Sequence, residues 1–117
     1  MLRTKCTNQV ILTGFVGEKV DHRKVKGDIS KATFFLGLPY EEGDRTEWET
    51  HAVESWRGLA DLCKSKLTKG SKVLVQGQLR LSRWTDANEQ PQSRQYIEAE
   101  RVEFISLKPK SDSTDSE

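Results

Sequence analysis

Apolar and polar positions alternate along most of this chain, and the period changes only once. NQVILTGFVG (8–17) and ISKATFFLGL (29–38) are rich in β-branched and aromatic residues and are bounded by glycines, by Lys26-Gly27-Asp28 and by Pro39. That is the composition and punctuation of strands. PYEEGDRTE (39–47) is polar around Gly43 and predicts a loop. WETHAVESW (48–56) predicts a third, less apolar strand. In RGLADLCKSKL the period shifts: Leu59, Leu62, Cys63 and Leu67 recur at i, i+3, i+4 and i+8, one stripe of a helix. Gly70 should end that helix, with Lys66 and Lys69 at the negative end of its dipole. Alternation returns in SKVLVQGQLRLSRW (71–84) and RQYIEAERVEFISL (94–107), a fourth and a fifth strand. KPKSDSTDSE has no aromatic or aliphatic residue and is expected to be disordered.

Three strands, one helix and two strands is the order of the OB-fold, a five-stranded Greek-key barrel of the all-β class with little helix. Residues 1–106 are expected to form this domain, and 107–117 a short, mildly acidic tail. A length of 117 residues with 34% hydrophobic content suits one domain with a modest core. No apolar run approaches the roughly 20 residues of a membrane-spanning helix, and no membrane partner is expected. MLRTKCTNQVILTG has too short an apolar run for a secretory signal. Cys6 and Cys63 stand far apart and form no CxxC pair. Two free thiols in a reducing compartment are expected.

The fourth strand places its aromatic residue unexpectedly. Odd positions Val73, Val75, Gly77, Leu79 and Leu81 are apolar apart from one glycine, so they should face the barrel interior. Trp84 has the opposite parity and falls in line with Arg80, unless a bulge resets the register. Trp48 and Trp56 share a side of the third strand if it is regular, with Thr50, Ala52 and Glu54 between them, a face too polar for an obvious core stripe. Phe34, Leu36 and Leu38 look like core, which leaves Phe35 outside with Lys31 and Thr33. Tyr40 sits just past this strand. Exposed aromatics beside guanidinium groups suit stacking on nucleic-acid bases, each stacked base contributing roughly 1–3 kcal/mol.

Net charge is only +1, yet its distribution is uneven. Residues 1–34 carry seven bases against three acids, and 57–84 carry seven bases against Asp61, while 35–56 and 85–106 are acidic. A near-neutral total therefore conceals basic segments able to share one face. Catalytic constellations are missing from the pattern. His22 and His51 lie in no HxH or HExxH spacing, no GxxxxGK[ST] occurs, and Glu41-Glu42-Gly43-Asp44 lacks the spaced ligands of a calcium loop. Neither an enzyme nor a cofactor or metal site is expected.

Over residues 8–106 the chain resembles the bacterial and mitochondrial type of single-stranded DNA-binding protein. The resemblance rests on NQVILTGFVG, on TEW at 46–48, and above all on LTKGSKVLVQGQLRLSRWTD at 67–86. Glu49-Thr50 reads as a two-residue insertion, which preserves facing. The resemblance implies base stacking by Trp48, Trp56 and Trp84, with Tyr40 close to a further aromatic position, and Phe35 joins them from its parity. It implies that Lys5, Arg23, Arg57, Lys69, Arg80 and Arg83 follow the phosphates, and Lys72 is expected beside them. It also implies a homotetramer wrapped by single-stranded DNA, a long hairpin with its tip near 86–93, and a role in replication, recombination and repair. The compartment expected is a bacterial cytoplasm or nucleoid, including a phage or plasmid product, with the mitochondrial matrix or a plastid as alternatives. The tail lacks the acidic Pro-Phe tip through which such proteins recruit replication and repair enzymes, which places that partnership in doubt. Two other readings stand beside this one: a dimeric primosome-type adaptor that binds single strands and restart proteins, and an RNA-binding cold-shock type of module. FFLGL is a poor substitute for the compact aromatic motifs of the latter.

Overall fold

The computed structural model describes residues 6–17 and 20–106. Six strands and one helix follow one another: β1 (Val10–Val16), β2 (Asp21–Val25), β3 (Ile29–Glu42), β4 (Arg45–Trp56), α1 (Arg57–Lys66), β5 (Lys72–Thr85) and β6 (Pro91–Ser106). The expected tail, 107–117, lies outside the described residues, as does Lys5.

Strand pairing closes a ring. β1 pairs with β5, β5 with β6, β6 with β4, β4 with β3, and β3 returns to β1. All these pairings are antiparallel except β4–β6, where Val53 and Glu54 lie beside Ile97 and Glu98. The ring is an OB-type barrel, and its five strands are the five that the hydrophobic pattern marks. β2 is additional. It is an edge hairpin partner of β3 outside the ring, and DHRKV carries no apolar alternation because neither of its faces is core.

The barrel interior is filled by Val16, Ala32, Phe34, Leu36, Val53, Val73, Val75 and Ile97, all essentially buried. Alternation along the strands brings these residues inward, and hydrophobic burial of about 25 cal/mol per Å² holds them there. α1 packs against β3 and β4, but its stripe differs from the expected one. Ala60, Cys63 and Leu67 are buried, Leu59 is half-buried and Leu62 is exposed. His22 Nε2 lies 2.9 Å from Asp61 Oδ1 and ties the β2 edge to this helix.

Two strands run past the barrel. β3 continues through 39–42 and turns at Gly43, whose φ of +62° favours glycine, into β4 at Arg45. The expected loop at 39–47 is therefore mostly a ribbon. β5 and β6 extend as a second ribbon closed by residues 86–90. Leu79 and Leu81, expected inside, are exposed because the interior ends near Gly77. At the ribbon's root the Asn8 amide side chain imitates one more strand residue. Its Nδ2 donates to the Leu79 carbonyl at 2.9 Å, and the Leu79 N–H donates to its Oδ1 at 2.8 Å.

Candidate nucleic-acid interface

Register assigns each candidate to a face. Directly opposed residues in a ladder share a side. Arg23 lies opposite Lys31, Lys31 opposite Trp56, Thr33 opposite Glu54, and Phe35 opposite Ala52. Glu54 lies beside Glu98 across the parallel pair. Glu98 opposes Gln78, Tyr96 opposes Arg80, Arg94 opposes Ser82, and Gln92 opposes Trp84. One outer surface thus runs from β2 across β3, β4 and β6 to β5, with Phe35, Trp56 and Trp84 along it. None of these aromatics has a place inside, since the residues of opposite parity already fill the barrel.

Phe35 is 41% exposed and Trp84 47%. Trp56 is half-buried, with Lys31 Nζ 5.4 Å from its ring centre, a cation–π contact. Trp48 stands at 58% exposure and meets Phe15 edge-on, ring centres 6.2 Å apart. Gly37 leaves room for it, since a side chain there would meet the indole at 3.2 Å. Lys72 Nζ lies 5.8 Å from the Phe15 ring, so Lys72, Phe15 and Trp48 make a second aromatic-cation group. Tyr40 is 41% exposed but lies in β3, opposite Glu47, one residue from the Pro39–Trp48 pair. Alternation therefore sets it on the reverse side of the ribbon from Trp48. Arg83, opposite Ser93, is likewise on the reverse side from Trp84 and Arg80, although Arg83 and Trp84 line one shallow recess with Pro91 and Gln92.

The cations are only partly free. Arg23 Nη2 donates to Asp21 Oδ2 at 2.7 Å, and Arg80 donates to Glu98 Oε1 at 2.9 Å and to Gln78 Oε1 at 2.6 Å. Lys31 Nζ lies 3.5 Å from Glu54 Oε2. The face is mixed in charge where the sequence suggested a positive one. Arg57 is exposed in the kink between β4 and α1, with a φ of +60° that few non-glycine residues adopt. It stands at the positive end of α1, whose first turn holds no acidic residue. Lys69 is exposed in the turn between α1 and β5. Tyr96, near the carboxylates Glu54 and Glu98, is pushed above the ordinary phenol range by burial first and by those two charges next. Arg94, Phe15 and Tyr96 were not expected here, and Lys31 was expected on this face without a role. Parity with Phe35 points to Lys31, whereas Arg94 and Tyr96 reach the face only through the β5–β6 register.

A curved strand face carrying exposed aromatics between cations is the arrangement by which OB barrels hold single strands. The model of the single-strand binding protein family matches residues 7–105. The chain belongs to that family. Family proteins are binding proteins rather than enzymes. The chain is 34% identical over 86 residues to single-stranded DNA-binding protein 1 of Chlorobaculum tepidum, a match covering 68% of this chain and 52% of that protein. It is 29% identical over 110 residues to the single-stranded DNA-binding protein of Helicobacter hepaticus, covering 90% of this chain and 65% of that one. The chain thus spans between half and two thirds of the length of these bacterial relatives. Among solved structures, the Plasmodium falciparum SSB complex with ssDNA superposes with a TM-score of 0.80 at 25% identity, covering 90% of this chain and all of that one. That likeness bears out the all-β OB-fold.

Proposed function

We propose that this chain binds single-stranded DNA with little sequence dependence, in the service of replication, recombination and repair. The observation that carries the reading is the outer face on which Phe35, Trp56 and Trp84 alternate with Lys31, Arg94 and Arg80. Bases stack on the rings, each contributing roughly 1–3 kcal/mol. The cations take phosphates and displace counterions, so log affinity falls with log salt at roughly −0.7 per phosphate neutralised. A duplex hides its base faces and binds far more weakly. Trp48 with Lys72, and Arg57 at the start of α1, extend the path to either side. Tyr40 and Arg83 line the reverse faces of their ribbons and serve strands that wrap round them. The family and the exposed apolar residues Ile11, Leu79 and Leu81 support a homotetramer, and the bacterial relatives support a site of action in the cytoplasm or nucleoid.

The test is titration with oligo(dT) of increasing length, reading tryptophan fluorescence and complex mass by light scattering. Strong quenching and a tetramer mass are expected. Trp84→Ala should weaken binding by about 1–3 kcal/mol, five- to about 150-fold. An unchanged affinity in that variant removes Trp84 from the DNA path.

A further inference from the structure

The outer face contains a carboxylate that stacking and phosphate binding leave without a task. Glu54 is only 8% exposed, yet it points outward rather than into the barrel. It lines a concavity of about 360 Å³ together with Phe35, Thr33, Lys31, Arg23 and Arg94. Among the described residues its ion-pair partner is Lys31 Nζ at 3.5 Å, well beyond the roughly 2.7–2.9 Å of a charge-assisted hydrogen bond. Two carboxylate oxygens accept several donors, and a buried charge is costly unless such donors arrive. Glu54 is therefore short of hydrogen-bond donors, and it faces the cavity where a stacked base would lie.

We propose that Glu54 reads the edge of a base in this concavity and favours guanine. The proposal rests on the single-strand reading above. A base stacked on Phe35, two residues along the ladder from the Thr33–Glu54 pair and on the same face, turns its Watson–Crick edge towards the carboxylate. Guanine presents two parallel donors there, N1–H and the N2 amino group, which match the two oxygens. Thymine presents one N–H flanked by two carbonyl oxygens, which the carboxylate repels. Adenine and cytosine each offer one amino group beside an acceptor nitrogen. Lys31 holds the carboxylate in place from the Trp56 side, and Arg23 and Arg94 at the rim are available to the flanking phosphates. The protein then binds every single strand while settling its register on guanine.

The experiment is competition binding of the full chain with three oligonucleotides of equal length. One is all thymine, one carries isolated guanines spaced too widely for quadruplexes, and one has inosine at those positions. Inosine lacks the N2 amino group. The guanine oligonucleotide should bind about fivefold tighter than the thymine one, the low end of a bidentate base contact, and inosine should lose most of the gain. Glu54→Gln should bring the guanine-to-thymine ratio close to one, even if freeing Lys31 tightens binding to all three. Equal binding of guanine and thymine by the native protein overturns the proposal. So does inosine matching guanine, or a preference that survives in Glu54→Gln. Failure of all three to bind removes the single-strand reading itself, and the subsite with it. Inosine needs no variant, so the test stands even if the substitution impairs folding.

Discussion

Gly77→Ala perturbs the point from which the β5–β6 ribbon leaves the barrel. Gly77 faces the interior side of β5 at a register shift, where Gln76 opposes Arg101 but Gly77 opposes Ala99. A methyl group there would overlap the Glu98 carbonyl oxygen and lie 2.9 Å from its carbon and 3.0 Å from Ala99 Cα. All three atoms are backbone, so no side chain can swing away. Ordinary carbon contacts need about 3.5–4.0 Å, and the overlapped oxygen demands the largest shift, so the strands must part by about 1 Å or more. Overpacking of this kind costs about 1–3 kcal/mol, and each ladder hydrogen bond stretched adds about 0.5–1.5 kcal/mol. A loss of about 2–4 kcal/mol follows. In a domain of about 100 residues that lowers Tm by roughly 10–30 °C. Thermal denaturation followed by circular dichroism reads it. Gly58→Ala is the matched control. It lies in the first turn of α1 with nothing within 4 Å of an added methyl group, so it should be neutral or stabilise by up to about 0.5 kcal/mol, less than in a helix interior. A Gly77→Ala Tm within a few degrees of the native protein, with Gly58→Ala behaving as stated, would refute the close β5–β6 approach.

Asp86 closes the ribbon's tip, accepting the Asn88 and Gln90 N–H groups and the Gln92 amide, each at 2.9 Å. These bonds, the Gln90 one first, hold its carboxyl below 3.8. The folded pKa is depressed, so this stability is present above about 3.8 and is lost as pH falls through the lower folded value. Melting curves from neutral to strongly acid pH should therefore fall less steeply in Asp86→Asn than in the native protein, and equal slopes would contradict the bonds. Asp61, lowered by His22 first and Ser30 next, acts with the same sign on the β2–α1 tie. The thiols separate by burial. Exposed Cys6 should react promptly with dithiobis(nitrobenzoate), whereas buried Cys63, its thiol pushed up by desolvation, should react only on unfolding. Two fast thiols in the folded protein would show that α1 is not seated on the barrel.

The sequence by itself determined which side of each barrel strand faces inward and, through that, which aromatics stay out, although not how far along β5 the interior reaches: Leu79 and Leu81 share the core parity and are exposed. Alternation is a local property with a period of two, so the core parity of 73, 75 and 77 fixed the facing of Arg80 and Trp84 without any knowledge of partners. It also marked the five strands that close the barrel and the helix between the third and fourth. Alternation fails where no face is buried, which is why the charged edge strand β2 left no trace and the 39–47 ribbon read as a loop. The motif around Trp84 carried the family. Tertiary structure decided everything that depends on which strands are neighbours. Only the β3–β4 register separates Tyr40 from Trp48. Only the β5–β6 register delivers Arg94 and Tyr96 to the outer face, and only the short parallel β4–β6 pairing joins Glu54 to Glu98. Charge shows the difference most plainly. In the sequence the bases stand in segments apart from the acids, and in the fold Arg23, Lys31 and Arg80 each lie against a carboxylate. Two of these partners come from other strands, at contacts between residues far apart in the chain that no local pattern encodes.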